Sequence, residues 1–294
     1  MSGIVVPLDG SELCQEILPY VRTLASTLAE PVHLLRAIPD APGEEIRLKA
    51  EGYLESIATR LREDGLEVTT EVAFHSPPVA IVDAATQQKA TLIAMATHGY
   101  SGLRRWALGS VTDEVVHTTT VPIFVIRPEA ESAGADKESP KVSLKRLLVA
   151  LDGSALAKKA LPIATRLATQ TQGNLHLLRA VLPIEAFYDD LQPVPVPKMQ
   201  VEEDMQRERE DAQEFLEQTA EPLRQSGLTV ESIVMSGKAE DVIIEEANRL
   251  ECDAIVMATH GYGGMERWLL GSVADKVLHA TSVPLILVHA KHHG

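Results

Sequence analysis

Two short polar signatures each occur twice in this 294-residue chain, and both carry residue types that suit a phosphorylated ligand. One is an aspartate closing an apolar run, Asp9 in Leu-Asp-Gly-Ser and Asp152 in the same four residues. A carboxylate at a strand's end can accept hydrogen bonds from a ribose or an adenine amino group, while an Asx turn or helix cap is the commoner use of Asp-Gly-Ser. The other is a loop from Gly99 to Gly109 and Ser110, which returns as Gly261, Gly271 and Ser272 with the same nine residues between its glycines. Glycine permits positive φ and lets backbone amides approach a ligand, and a helix start offers an anion its unpaired N–H groups. Ser110-Val-Thr-Asp113 and Ser272-Val-Ala-Asp275 also fit a capping box, so a self-contained helix cap and a phosphate site are both compatible with the pattern. Asp113 opposes a phosphate unless a metal intervenes.

His98 and His260 precede the loop glycines. No Ser-His-Asp or Cys-His arrangement surrounds them, so hydrogen bonding to backbone or phosphate is expected of them rather than acid–base work. Trp106 and Trp268 read as apolar anchors of the loops. The P-loop GxxxxGK[ST] and the G-x-G-x-x-G dinucleotide fingerprint are both missing from the sequence.

The elements that must position these residues are themselves repeated. Ala96 to Val111 and Ala258 to Val273 agree at 12 of 16 positions, Ile4 to Pro19 answers Leu147 to Pro162, and Val32 to Ala37 answers Leu175 to Ala180. The offset between copies grows from 143 to 162, which places a net insertion in the four-proline stretch Leu182 to Met199, expected as an extended surface excursion. Residues 128 to 141 are Ser, Ala, Gly and charge and read as a linker. The expected division is a first domain at 1–128, a linker at 129–143 and a second domain at 144–294.

Apolar runs predict strands at Ile4–Leu8, Val32–Ala37, Glu67–Phe74, Thr91–Ala96 and Val121–Ile126 in the first half. In the second they predict Leu147–Leu151, Leu175–Ala180, Thr229–Met235, Ala254–Ala258 and Val283–Val288. Helical spacing links them, as in the stripe Leu13, Ile17, Val21, Leu24 and Leu28, and again in Met205, Ala212, Leu216, Thr219 and Leu223. Runs such as IVVPL and LILV suit strands buried on both faces. The expected fold is α/β: two similar doubly wound domains, each a five-stranded parallel sheet with helices on both faces.

Composition narrows the function classes. Hydrophobic content of 45%, charged content of 23% and 4% aromatics describe a globular protein, and a formal net charge of -15 argues against nucleic-acid or anionic-membrane partners. Cys14 and Cys252 lie at unlike places in the halves and suggest neither a disulfide framework nor a zinc site. With no signal-peptide pattern at its start, the expected location is the cytoplasm.

Taken together, the Leu-Asp-Gly-Ser strand end, the Met-Ala-Thr-His-Gly loop, the Gly-Ser-Val helix start and the final Val-Pro strand resemble the universal stress protein family, in a tandem form. The resemblance implies an adenine nucleotide alpha hydrolase-like fold and ATP or a related adenine nucleotide as ligand, with Mg or Mn as its candidate companion ion. The family's motif, G-x2-G-x9-G-[S/T], becomes Ala96-x2-Gly99-x9-Gly109-Ser110 and Ala258-x2-Gly261-x9-Gly271-Ser272, alanine replacing the first glycine in both copies. By the same resemblance Asp9 and Asp152 contact adenosine, Ala37 and Ala180 offer backbone to adenine, and Ser110, Val111, Ser272 and Val273 face the phosphates.

Family members pair through their last strands, which implies an internal pseudo-dimer joined at the fifth strand of each half; association of two chains is a further expectation. Arg104-Arg105 becomes Glu266-Arg267 in the second loop, so the first site is expected to bind better. The leading expectation is a stress-response binding module with a regulatory or protective role. A weak ATP hydrolase and a structural protein that binds no nucleotide are the alternatives.

Overall fold

The computed structural model describes residues 2–38, 43–97, 108–128, 142–182, 198–259 and 270–289. The first half contains β1 (Ile4–Pro7), α1 (Glu12–Gln15), α2 (Leu18–Leu28), β2 (Val32–Ala37), α3 (Glu44–Glu63), β3 (Val68–Ala73), α4 (Pro77–Gln87), β4 (Leu92–Ala96), α5 (Ser110–Thr118) and β5 (Ile123–Ile126). The second contains β6 (Arg146–Ala150), a 3-10 turn (Ala157–Ala160), α6 (Leu161–Thr171), β7 (Asn174–Val181), α7 (Lys198–Gln225), β8 (Thr229–Ser236), α8 (Ala239–Arg249), β9 (Ala254–Ala258), α9 (Ser272–Ala280) and β10 (Leu285–Val288). All ten expected strands are present.

Proline sets several boundaries. β5 and β10 begin after Pro122 and Pro284, whose carbonyls accept from Ile93 and Ile255 but which have no N–H to extend the ladder. The stripe from Leu13 to Leu28 is two helices rather than one. Pro19 lies in the first turn of α2, where a missing N–H is tolerated, so α1 stops at Gln15 and Ile17 becomes the cap of α2. The excursion expected up to Met199 is also corrected, because α7 already begins at Lys198. The rest of that segment, 183–197, lies outside the described residues.

Every neighbouring pair within a half is parallel, and the strands run β3-β2-β1-β4-β5-β10-β9-β6-β7-β8 across one ten-stranded sheet. Alternate residues of each strand face opposite layers. Ile4 and Val6 pack with α2 and α3, in the layer that α6 and α7 continue, whereas Val5 and Leu35 pack with α4 and α5, in the layer that α8 and α9 continue. Among the described residues no helix is long and apolar enough to cross a membrane.

The halves meet through β5 and β10, antiparallel, with Leu285 opposite Val125, Ile286 opposite Phe124 and Leu287 opposite Ile123. Phe124 is fully buried there and its ring lies 5.5 Å from that of Tyr20. Beyond the strands, Arg166 of α6 bonds the nearly buried Glu30 at 2.5 Å and donates to the Leu28 carbonyl at 2.6 Å. Thr91 also donates to Glu30.

Each last strand reaches the other half's last helix. Arg127, just past β5, donates to the His279 carbonyl at the end of α9 at 2.6 Å, and His289, just past β10, bonds the Val116 carbonyl in α5 at 2.9 Å. Arg127 is desolvated enough that burial pulls its guanidinium below its ordinary pKa.

Two outcomes follow from these contacts. Arg166→Ala leaves the Glu30 carboxylate buried without its cation and is expected to lower stability by on the order of 1–2 kcal/mol, less than for a fully dry pair because Arg166 is half exposed; urea denaturation measures this. Burial pushes the Cys252 thiol up to about 11 from an ordinary 9.0. Between those values the unfolded chain releases a proton that the folded chain keeps, so stability is whole below pH 9 and falls as pH rises toward 11. Thermal melts over that range are expected to flatten in Cys252→Ala.

Candidate functional site

Parallel strands bring all their C-terminal ends to one edge, and in each half the strand order reverses between the first and fourth strands. A doubly wound sheet has its ligand crevice at that reversal. Asp9 follows β1 and Asp152 follows β6; Ala37 ends β2, Ala180 lies near the end of β7, and Ala96 and Ala258 end β4 and β9. Gly109, Ser110 and Val111 open α5 on this edge, tied to β4 by the Gly109 amide donating to the Thr97 carbonyl at 2.9 Å. Gly271, Ser272 and Val273 open α9 in the same way, with Gly271 donating to Thr259 at 2.7 Å. His98, Gly99, His260 and Gly261 lie outside the described residues, as do Arg104, Arg105, Trp106, Glu266, Arg267 and Trp268.

Asp9 and Asp152 each close an Asx turn. Asp9 Oδ1 accepts from the Ser11 amide at 2.9 Å and its hydroxyl at 2.7 Å, and Ser11 Oγ in turn caps α1 through the Cys14 amide at 3.2 Å. Asp152 Oδ1 accepts from the Ser154 amide at 2.9 Å, and Ser154 Oγ accepts from the Ala157 amide at 3.0 Å. Gly10 and Gly153 complete these turns at φ +89 and +91, a region where a side chain is strained. Both carboxylates remain exposed at the crevice.

At the helix starts the capping box does not form. Gly109 and Gly271 are themselves the N-caps, no side chain caps either helix, and the first backbone bonds run from Asp113 to Gly109 and from Asp275 to Gly271. Ser110, Val111 and Thr112 therefore present amides that the helix's own ladder does not use. Asp113 and Asp275 lean along the helix toward His117 and His279, at 3.6 and 3.3 Å, instead of back onto the cap. The glycines are also not there for positive φ, because Gly109 has φ -66 and Gly271 has φ -62. Glycine is a favoured N-cap at such angles and also permits close approach of a ligand to the backbone.

Ala96 packs with the layer that holds Leu8 and Cys14, whereas α5 contributes Val115 and Val116 to the opposite layer. By strand alternation Ala258 faces the same way as Ala254 and Val256. Neither methyl lies on the sheet face from which the N-terminus of its loop helix rises.

The universal stress protein family model matches residues 1–127 and again 143–289. The chain belongs to the universal stress protein family. A universal stress protein of Mycolicibacterium smegmatis is 24% identical over 98% of this chain and 97% of its own length. One from Mycobacterium bovis is 26% identical over 76% of this chain and 69% of its own. A solved universal stress protein from Archaeoglobus fulgidus superposes with a TM-score of 0.72 at 22% identity, covering 98% of both chains, and so has the same fold.

Four further side chains lie near the two aspartate turns. Arg36 on β2 stacks over Tyr53 of α3 at 5.1 Å, and Arg179 on β7 stacks over Phe215 of α7 at 5.4 Å. The signal was available in the repeated His-Leu-Leu-Arg-Ala, whose arginine interrupts an apolar run in both copies. Tyr53 also lies 3.7 Å from Cys14 Sγ, and burial first, with Asp9 second, raises the Cys14 thiol above its ordinary range. The second half has Ala157 and Phe215 at these places, so the thiol and the hydroxyl leave together.

Because Gly109 and Gly271 sit at negative φ, where alanine is unstrained, Gly109→Ala and Gly271→Ala are expected to fold, with a capping loss of about 1 kcal/mol. Urea midpoints check this. A loss of several kcal/mol would instead mean that the cap is crowded by protein.

Proposed function

We propose that this universal stress protein binds ATP or a related adenine nucleotide at the crevice of each domain. The observation that carries the reading is the pair of helix starts, Ser110 and Ser272, whose first amides no side chain caps and which each follow a glycine N-cap at negative φ. Backbone amides and a helix dipole at a strand-order reversal are what a polyphosphate requires. Asp9 and Asp152 supply acceptors for the ribose, the backbone at Ala37 and Ala180 serves adenine, and Val111 and Val273 line the phosphate side. The alanines at Ala96 and Ala258 leave room for the ligand, His98 and His260 add loop hydrogen bonds, and Gly99 and Gly261 supply the loop's turn. Mg or Mn is the ion that would accompany the phosphates.

The units are residues 1–128 and 144–294, joined by 129–143 and working as a pseudo-dimer through β5 and β10. Nucleotide orders the loop from Gly99 to Gly109 and so alters a surface, which makes the protein a regulatory or protective binding module of the cytoplasmic stress response. Glu266 opposes phosphate in the second loop where Arg104 stands in the first, so the first site is the tighter.

Equilibrium dialysis of the full chain with labelled ATP tests this. Retention is expected for the native protein and is expected to fall at least tenfold in Gly109→Ala/Gly271→Ala, where each added methyl intrudes on the proposed phosphate site. No retention by the native protein at millimolar ATP sinks the reading. Two sites of equal affinity would sink only the ranking.

A further inference from the structure

The two loop helices are fastened to the sheet by different means. In the first half the Thr97 amide donates to the Ile126 carbonyl of β5 at 2.9 Å, and the Thr97 carbonyl receives the Gly109 amide at the start of α5. The second half repeats both bonds, from Thr259 to Val288 at 2.9 Å and from Gly271 to Thr259 at 2.7 Å. There the likeness ends. Thr112, in the first turn of α5 and only 2% exposed, turns its hydroxyl onto the end of β4, donating to the Ala96 carbonyl at 3.2 Å with the Thr97 carbonyl 3.4 Å away. The residue in its place in α9 is Ala274, as deeply buried but with no donor on its side chain.

What α9 has instead is Lys276, which bonds Glu240 of α8 at 2.7 Å through a side chain that is more than half exposed. The first half has Glu114 and Pro78 at those places, which cannot form such a pair. An exposed ion pair contributes little and fades with salt, whereas a buried hydroxyl bonded to backbone keeps its geometry.

The difference falls where the helix would meet an anion. The amides of Ser110, Val111 and Thr112 are those that α5 leaves unused, so the residue that presents the last of them also ties the turn to the strand beneath it. One hydrogen bond at the glycine fixes a point. A second, from Thr112, fixes an orientation, and donors oriented before a ligand arrives need no ordering when it binds.

We propose that Thr112 is a positioning residue of the first crevice, its hydroxyl holding the α5 amides in the orientation that receives the ligand's phosphates, while the second crevice has no equivalent. The inference rests on the nucleotide reading of the same crevices. It gives the first site an advantage that does not depend on the charge of the loop.

Calorimetry with ATP on the full chain carrying Gly271→Ala, in which the second site is weakened, tests it. Four side chains at this position separate the hydroxyl from its volume: Thr and Ser keep the donor, Val and Ala lose it, and Val alone matches Thr in size. Thr112→Val and Thr112→Ala are expected to weaken ATP at the first site about threefold to tenfold, the range of a single hydrogen bond, with Thr112→Ser within about twofold of the parent chain. In a chain carrying Gly109→Ala, where the second site remains, Thr112→Ala is expected to leave the affinity unchanged. Should valine prevent folding, Thr112→Ala reproduces the residue α9 already carries, and its comparison with Thr112→Ser decides the matter. Affinity that is equal in all the folded variants, that follows side-chain size rather than the hydroxyl, or that falls alike in both backgrounds overturns the inference and leaves the nucleotide reading standing. Failure of the native chain to bind ATP overturns both.

Discussion

The pairing of β5 with β10 is the constraint on which the rest of the molecule depends. Each domain's sheet would end at an apolar strand with unused backbone groups, and such an edge in water invites a partner. Here the partner is supplied by the same chain, so two sheets become one of ten strands. The apolar layers then run unbroken across the junction, and Glu30, buried at the seam, becomes tolerable because Arg166 and Thr91 reach it. Both crevices inherit their geometry from this sheet, since the loop helices α5 and α9 pack in one layer against it and cannot shift without the strands beneath them.

Much of this architecture was legible in the sequence. Short apolar runs bounded by Gly, Pro and Asp mark the inner parallel strands, where burial leaves no polar face to confuse the period, whereas the edge strands β3 and β8 carry exposed threonine and glutamate residues. Where the reading failed, local backbone chemistry won. Pro19 split a stripe whose periodicity was continuous, and Lys198 turned helical earlier than a proline count suggested. The capping box at Ser110 matched a familiar spacing, yet one residue of register made Gly109 the cap and sent Asp113 toward His117.

The crevice was legible in part, for a different reason. Asp9, Gly109 and Ser110 announce themselves because their types are unusual at strand and helix ends. Arg36 does not, because a sequence reports that a cation interrupts a strand but not that a glycine turn and a ring from a helix seventeen residues on will clamp it. The repeat marks the arginine but not what holds it: Tyr53 and Phe215 differ in type yet stack on the equivalent guanidinium of each half.

The contacts that cross from each last strand to the opposite helix carry one more consequence. Arg127 reaches the end of α9 and His289 reaches α5, so the two halves perform one task with different residues. An assembly of two identical chains would have to accept any substitution in both subunits at once. Joining the copies covalently removes that restriction, and each half is free to acquire its own chemistry while the other keeps the fold.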